Sequence, residues 1–376
     1  MSVRQRNILF IISGLGVGGA EKLLINLANR FDKSRFHVEV VALSDRNTLA
    51  KEICSSDVRF TSLPRGWRYD LRPARQIRRT IAANDIDAVI AFDLFSYFYV
   101  RVALLGVSPR PGILVSLHST APKSLKHFLQ SMTYARLLSG NVKLISVCEG
   151  QADYLSKIYG IPRKRFTTVY NGVDVEHFRL SEDPDARNSI RSSMMLPGDA
   201  FVILQVASLA PHKCHEDSFA ALKDLADRNP QKQCYLLLVG QGPKEREDDL
   251  RALAEKLKVS DLVRFCGLQS DVRPFYQAAD VFTLSSRSIE TFSVAALEAM
   301  SMGLPCVITD IGGAREMIVE GMNGFVVPPR DPHALAGAWL KIIDGRETLG
   351  HEKIRAWVVE HFSLVDCVKR YESLAA

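Results

Sequence analysis

The sequence predicts an α/β protein built from two parallel-sheet domains. Three observations carry that prediction. Short apolar runs (NILFIIS, HVEVVAL, DAVIAF, GILVSLH, VKLISVC) alternate with helix-period segments, the pattern of parallel strands with helices on both faces. A length of 376 residues with 47% apolar side chains supplies two cores of ordinary size. The charge also changes sign along the chain: 25 Lys and Arg oppose 13 Asp and Glu through Val175, against 23 and 29 in the remainder. The change falls just after Tyr170-Asn171-Gly172-Val173-Asp174, where Asn-Gly supplies a turn.

Composition narrows the class. No apolar run reaches the ~18 residues of a membrane span, and MSVRQRNILFIISG enters a strand-like run without a cleavage site. Seven cysteines without a CxxC pair fit a reduced, cytoplasmic protein lacking structural zinc. The basic first half suits an anionic lipid surface, where the protein would sit peripherally, or a phosphate-bearing acceptor. A merely solvated basic face gives the same count. Nucleic acid is not expected, because no recognition motif or interleaved aromatics accompany the basic stretches.

In chain order, Asn7–Ser13 reads as a buried strand, followed by GLGVGGAEK and a helix through Phe31. A glycine-rich strand-to-helix turn lets backbone approach phosphate; it is also how many tight turns are made. Gly14, Gly16, Gly18 and Gly19 do not spell GxGxxG, and no acid ends the next strand as a ribose ligand. The basic segment Arg65–Arg79 reads equally as a solvated helix and as a grip on membrane or acceptor phosphate. Asp85-Ile86-Asp87 spells a metal-holding DxD but directly precedes the strand DAVIAF, where Asp ends a turn. His118 closes GILVSLH at the carboxyl edge of a strand, where parallel sheets bind ligands. Leu180–Ala200 is linker and entry helix. FVILQVASL opens the second domain, CYLLLVGQGPKERE sets Gly240 and Gly242 at a strand–helix turn, and PCVITDIGGAREMI carries Gly312 and Gly313. Asp331–Asp344 and Gly350–Leu374 are the final helices.

The chemistry concentrates in SSRSIETFSVAALEAMSM, Ser285 to Met302, where Glu290 and Glu298 have seven residues between them. Glu290 falls on the turn before an apolar helix, free to face a ligand. Glu298 lies about two turns on, inside a buried run, where a carboxylate is costly unless hydroxyls or cations satisfy it. The amides of Thr291, Phe292 and Ser293 are expected at the helix start, where unpaired N–H groups favour phosphate. A surface helix with two unrelated glutamates would show the same spacing.

The stretch ETFSVAALEAMSMGLPCVITDIGGAREMIVEGMNGFVV resembles the signature of the retaining family-four glycosyltransferases, including its E-x7-E motif. The resemblance extends over nearly the whole chain. It implies GT-B architecture, two Rossmann-like domains facing a central cleft. The expected division is 1–174 for the acceptor side, 175–350 for the donor side, and 351–376 as a helix packing back on the first domain. It further implies transfer from a nucleotide-sugar donor to a glycan or lipid-linked acceptor, without metal or other cofactor. His118 and Glu290 would then be catalytic. Gly16, Gly18, Lys213, Gly242, Leu268, Thr291, Phe292, Ser293 and Glu298 would bind the donor, and Ser119 and Thr120 would assist His118. One position departs from the pattern: Ser208 stands where the family usually places an Arg that shares the pyrophosphate with Lys213. That departure supports a rival, a non-catalytic nucleotide-sugar-binding subunit of a polysaccharide complex. A GT-B epimerase would need further carboxylates and a His that the sequence does not offer.

Overall fold

The computed structural model describes residues 4–16, 18–67, 70–118, 125–138, 140–183, 185–345 and 350–376. The chain forms two compact units, 1–171 joined by 365–376, and 172–364. The division falls at Asn171/Gly172, close to the expected 174. The tail differs more. The helix His351–His361 belongs to the second unit, and only the chain from Val365 onward joins the first.

The first unit holds a seven-stranded parallel sheet: β1 (Arg6–Ile12), β2 (Phe36–Ala42), β3 (Arg59–Ser62), β4 (Ala88–Ala91), β5 (Gly112–Leu117), β6 (Val142–Ser146) and β7 (Phe166–Thr168). Its order is β3-β2-β1-β4-β5-β6-β7, so the winding reverses between β1 and β4. Ile8 to Ile11 are fully buried, as a continuous apolar run covered on both faces requires. The final helix, Leu364–Ala375, is pinned to this unit where Glu372 accepts from the Asp32 amide at 2.7 Å. Asp85 takes a left-handed turn (φ 43°), and Asp87 accepts from the Asn7 amide at 2.8 Å. The DxD sequence thus spends its second carboxylate on backbone.

The second unit holds six parallel strands: β8 (Phe201–Val206), β9 (Cys234–Val239), β10 (Val263–Gly267), β11 (Val281–Leu284), β12 (Cys306–Thr309) and β13 (Gly324–Val327). Their order, β10-β9-β8-β11-β12-β13, reverses between β8 and β11. The entry helix Ala186–Ser193 is locked down by Arg191, 2% exposed, which pairs with Asp280 at 2.7 Å. Asp280 also accepts from the Val202 amide at 2.8 Å, so a buried charge is satisfied on two sides.

Candidate active site

In an open parallel sheet, ligands bind outside the carboxyl ends of the strands where the winding reverses. In the second unit that place lies between the loops following β8 and β11, and Lys213 and Glu290 come from those two loops. The Lys213 ammonium donates to Glu290 Oε2, with both side chains about one-fifth exposed. Ser286 Oγ donates to the same oxygen at 3.3 Å. Glu290 is therefore engaged by a cation rather than standing free, a pairing no local spacing announces. The loop is held by a buried hydroxyl network. Ser285 Oγ donates to the carbonyls of Lys213 (3.0 Å) and Cys214 (2.8 Å), and Ser218 Oγ donates to Gln205 Oε1 (2.8 Å).

The backbone at Glu290 is constrained from both sides. Ile289 is held left-handed at φ 59°, which a β-branched residue adopts only when its surroundings enforce it. Gly312, at φ 58°, lies so close that a Cβ there would stand 2.2 Å from the Glu290 carbonyl oxygen. Gly313 donates its amide to Thr291 O at 2.7 Å. The close approach explains the glycine at 312.

The expected helix start is corrected. The helix runs Val294–Ser301, with Ser293 as its N-cap accepting from the Ala296 amide at 3.2 Å. Thr291, Phe292 and Ser293 precede it and are buried, and the Phe292 ring packs edge-on against Phe362 at 5.4 Å. Apolar burial drew these residues out of the helix and into the core. Glu298 lies within the helix, 8% exposed, and accepts from the buried Tyr276 hydroxyl at 2.9 Å. Tyr276 is held protonated, its acidity suppressed by desolvation and then by the Glu298 charge.

Gly242 packs on Leu209, where a Cβ would meet the Leu209 Cβ at 2.7 Å. Gly267, left-handed at φ 66°, accepts from the Gly240 amide at 2.8 Å. The loops after β8, β9 and β10 thus adjoin, and Leu268, 61% exposed, follows them. Ser208 is exposed on the first of these loops.

His118, Gly16 and Gly18 lie in the first unit. His118 follows β5, stacks on Phe92 with ring centroids 5.8 Å apart, and engages Ser116 Oγ through Nε2 at 2.9 Å. Ser116 Oγ in turn meets Tyr371 Oη at 2.6 Å. Burial lowers the His118 pKa to about 4, so the ring is neutral near pH 7. Tyr371 and Ser116 are the residues that sequence reasoning missed. Gly16 faces open space, whereas a Cβ at Gly18 would meet the Glu21 carboxylate at 2.4 Å. That helix start is thus occupied by an acid of its own first turn. Ser119 and Thr120 lie outside the described residues. Among the described residues, no cluster of three or more His, Cys, Asp or Glu is placed to hold a metal.

Residues 17–177 match the model of Glycosyltransferase Family 4, and residues 186–355 match that of Glycosyl transferases group 1. The chain belongs to the family-four-type glycosyltransferases. A D-inositol 3-phosphate glycosyltransferase 2 of Catenulispora acidiphila is 32% identical over 215 residues, covering 55% of this chain and 49% of that protein. The chain therefore spans about half the length of that relative. Among solved structures, a glycosyltransferase from Rickettsia africae superimposes with TM-score 0.86 at 19% identity, over 99% of this chain and 98% of that one. Anabaena HepE in complex with UDP gives 0.82 at 21% identity, over 98% of each chain. At those identities the likeness is one of fold, and it makes this glycosyltransferase a GT-B protein.

Proposed function

We propose that this glycosyltransferase moves a sugar from a nucleotide-sugar donor, with retention of anomeric configuration, to a glycan or lipid-linked acceptor in cell-surface polysaccharide or glycoconjugate synthesis. The observation that carries the reading is the Lys213–Glu290 pair where the winding of the second sheet reverses. A cation and an acid there can divide the donor between them, Lys213 taking phosphate and Glu290 the sugar hydroxyls. Glu298 would accept from the ribose hydroxyls, while the loops carrying Gly242 and Leu268 line the nucleotide. Thr291, Phe292 and Ser293 set the Glu290 backbone. In the first unit, neutral His118 offers Nδ1 to the sugar, beside the glycine loop of Gly16 and Gly18.

In the reaction, the bond from the anomeric carbon to the diphosphate oxygen breaks while the acceptor oxygen bonds on the same face. The acceptor proton passes to the departing phosphate oxygen, so neither a separate base nor a metal is required. The comparison protein solved with UDP supports a nucleotide donor.

Thermal-shift titration with UDP, GDP and ADP tests donor binding, since a ligand at ~100 times its dissociation constant stabilises by about 2.7 kcal/mol. Incubation with the matching nucleotide sugar then tests transfer, and slow donor hydrolysis is expected. Binding without hydrolysis or transfer to any acceptor would favour the non-catalytic subunit, the reading that Ser208 supports.

For the acceptor side, the helix Arg72–Ala83 exposes Arg75, Arg78 and Arg79. Beside it opens a groove lined by Phe95, Phe98, Tyr134 and Leu129 and rimmed by Arg65 and Lys126. Cations around an apolar groove fit an anionic lipid surface or a lipid-linked acceptor. No helix among the described residues is long and apolar enough to cross a membrane.

A further inference from the structure

The donor site proposed above has a charge deficit. Each phosphate of a nucleoside diphosphate is anionic, yet Lys213 is already committed to Glu290. Ser208 offers only a hydroxyl. Arg287, which precedes Glu290 in sequence, is held firmly: its guanidinium donates to Asp217 through two bonds, of 2.7 and 3.1 Å. A more loosely held cation stands after the neighbouring strand β9.

Arg246 is in position. It lies in the first turn of the helix Lys244–Lys256, directly after the Gly240–Gly242 loop. Its Nε donates to Leu209 O at 3.3 Å, the residue beside Ser208. Its Nη2 lies 2.6 Å from Glu216 Oε1, and the side chain is 17% exposed. His215, beside Glu216 in sequence, is fully buried, with neither ring nitrogen hydrogen-bonded. Desolvation lowers its pKa to about 4 and Glu216 opposes the shift, while Arg246, Lys213 and His212 lower it further. Through Leu209 and Glu216, Arg246 thus borders the loop that carries Ser208 and Lys213.

We infer that Arg246 is the second cation of the diphosphate site, supplied by the helix start that follows β9, where the loop after β8 carries Ser208. The inference rests on the proposed donor reading. Each cation has a resting partner, Lys213 with Glu290 and Arg246 with Glu216, and each can exchange that carboxylate for a phosphate oxygen. Arg suits the role because its planar fork can grip phosphate oxygens in pairs.

Calorimetry with UDP and GDP on the whole chain tests this. With whichever nucleotide the wild type binds, Arg246→Gln should weaken affinity about 10- to 100-fold, the range for a lost charge-assisted hydrogen bond. Arg246→Lys should keep most of it, and adding Ser208→Arg to Arg246→Gln should recover it. Glu216→Gln, which frees Arg246, should tighten binding up to about 5-fold. Wild-type affinity in Arg246→Gln, or an equal loss in Arg246→Lys, overturns the inference. A wild type that binds neither of these nor ADP strikes the donor reading itself.

Discussion

Tyr371 Oη lies 2.6 Å from Ser116 Oγ, and Ser116 lies 2.9 Å from His118 Nε2, so a residue of the final helix orients the histidine of the first sheet. Desolvation raises the Tyr371 pKa and keeps the phenol protonated. Relayed through Ser116, its hydrogen bond fixes which way the imidazole presents Nδ1. Tyr371→Phe should lower turnover about 10-fold and cost roughly 1 kcal/mol of stability. In a His118→Ala background the same change should add little further loss of turnover. Additive losses would limit Tyr371 to packing.

Acid should destabilise both units through histidines that folding removes from water, His215 fully and His118 in part. His118 and His215 have folded pKa values of about 4, below the ordinary 6.5, because burial penalises the charged ring. Between those values the unfolded chain binds more protons than the folded one. Stability is thus fully present above pH ~6.5 and is lost as pH falls toward 4, by up to ~1.4 kcal/mol per unit for each histidine. Urea unfolding at pH 7, 6 and 5 measures the slope, which Asn at either position should reduce. The pH–rate profile should show no His118 limb near 6.5.

Lys213→Ala and Glu290→Gln should separate, although the two side chains touch. Removing the ammonium should reduce both nucleoside diphosphate affinity and transfer. Neutralising Glu290 should cut turnover at least ~10²-fold, the range of lost electrostatic stabilisation. Affinity should hold or improve in that variant, because Lys213 is released. Calorimetry beside single-turnover assays distinguishes them, and parallel losses in both variants would make the pair structural.

Glu298→Ala should weaken nucleotide binding by roughly 1.5–3 kcal/mol for each ribose bond lost. Because Tyr276 also donates to Glu298, Tyr276→Phe is the control. If accepting from Tyr276 were the carboxylate's sole task, the phenylalanine variant would match the alanine variant in affinity. The expectation is that Tyr276→Phe affects mainly the melting temperature.

Flotation with acidic vesicles should recover the protein at low salt and release it near 0.5 M, where screening shortens to about 4–5 Å. Glu at Arg75, Arg78 and Arg79 should abolish recovery, since all three residues are exposed. Recovery indifferent to salt and to these charges would remove lipid from the acceptor proposal.

The sequence by itself determined the two parallel-sheet units, the place of His118 at a strand's carboxyl edge and the buried setting of Glu298. Each is written in a local pattern: an apolar run of strand length, or a carboxylate inside an apolar helix. Tertiary structure alone decided the partners. Lys213 reaches Glu290 because β8 and β11 are neighbours although β9 and β10 intervene in the chain. Tyr371 reaches Ser116 across 255 positions, and Arg246 meets Glu216 because the helices that follow the neighbouring strands β8 and β9 start side by side. The amides of Thr291 to Ser293 looked like a helix start, but burial of Phe292 against Phe362 and the Ser293 cap moved the helix to Val294. Periodicity fixes what each segment becomes; which side chains meet depends on strand order, and that is set by how the whole sheet buries its faces.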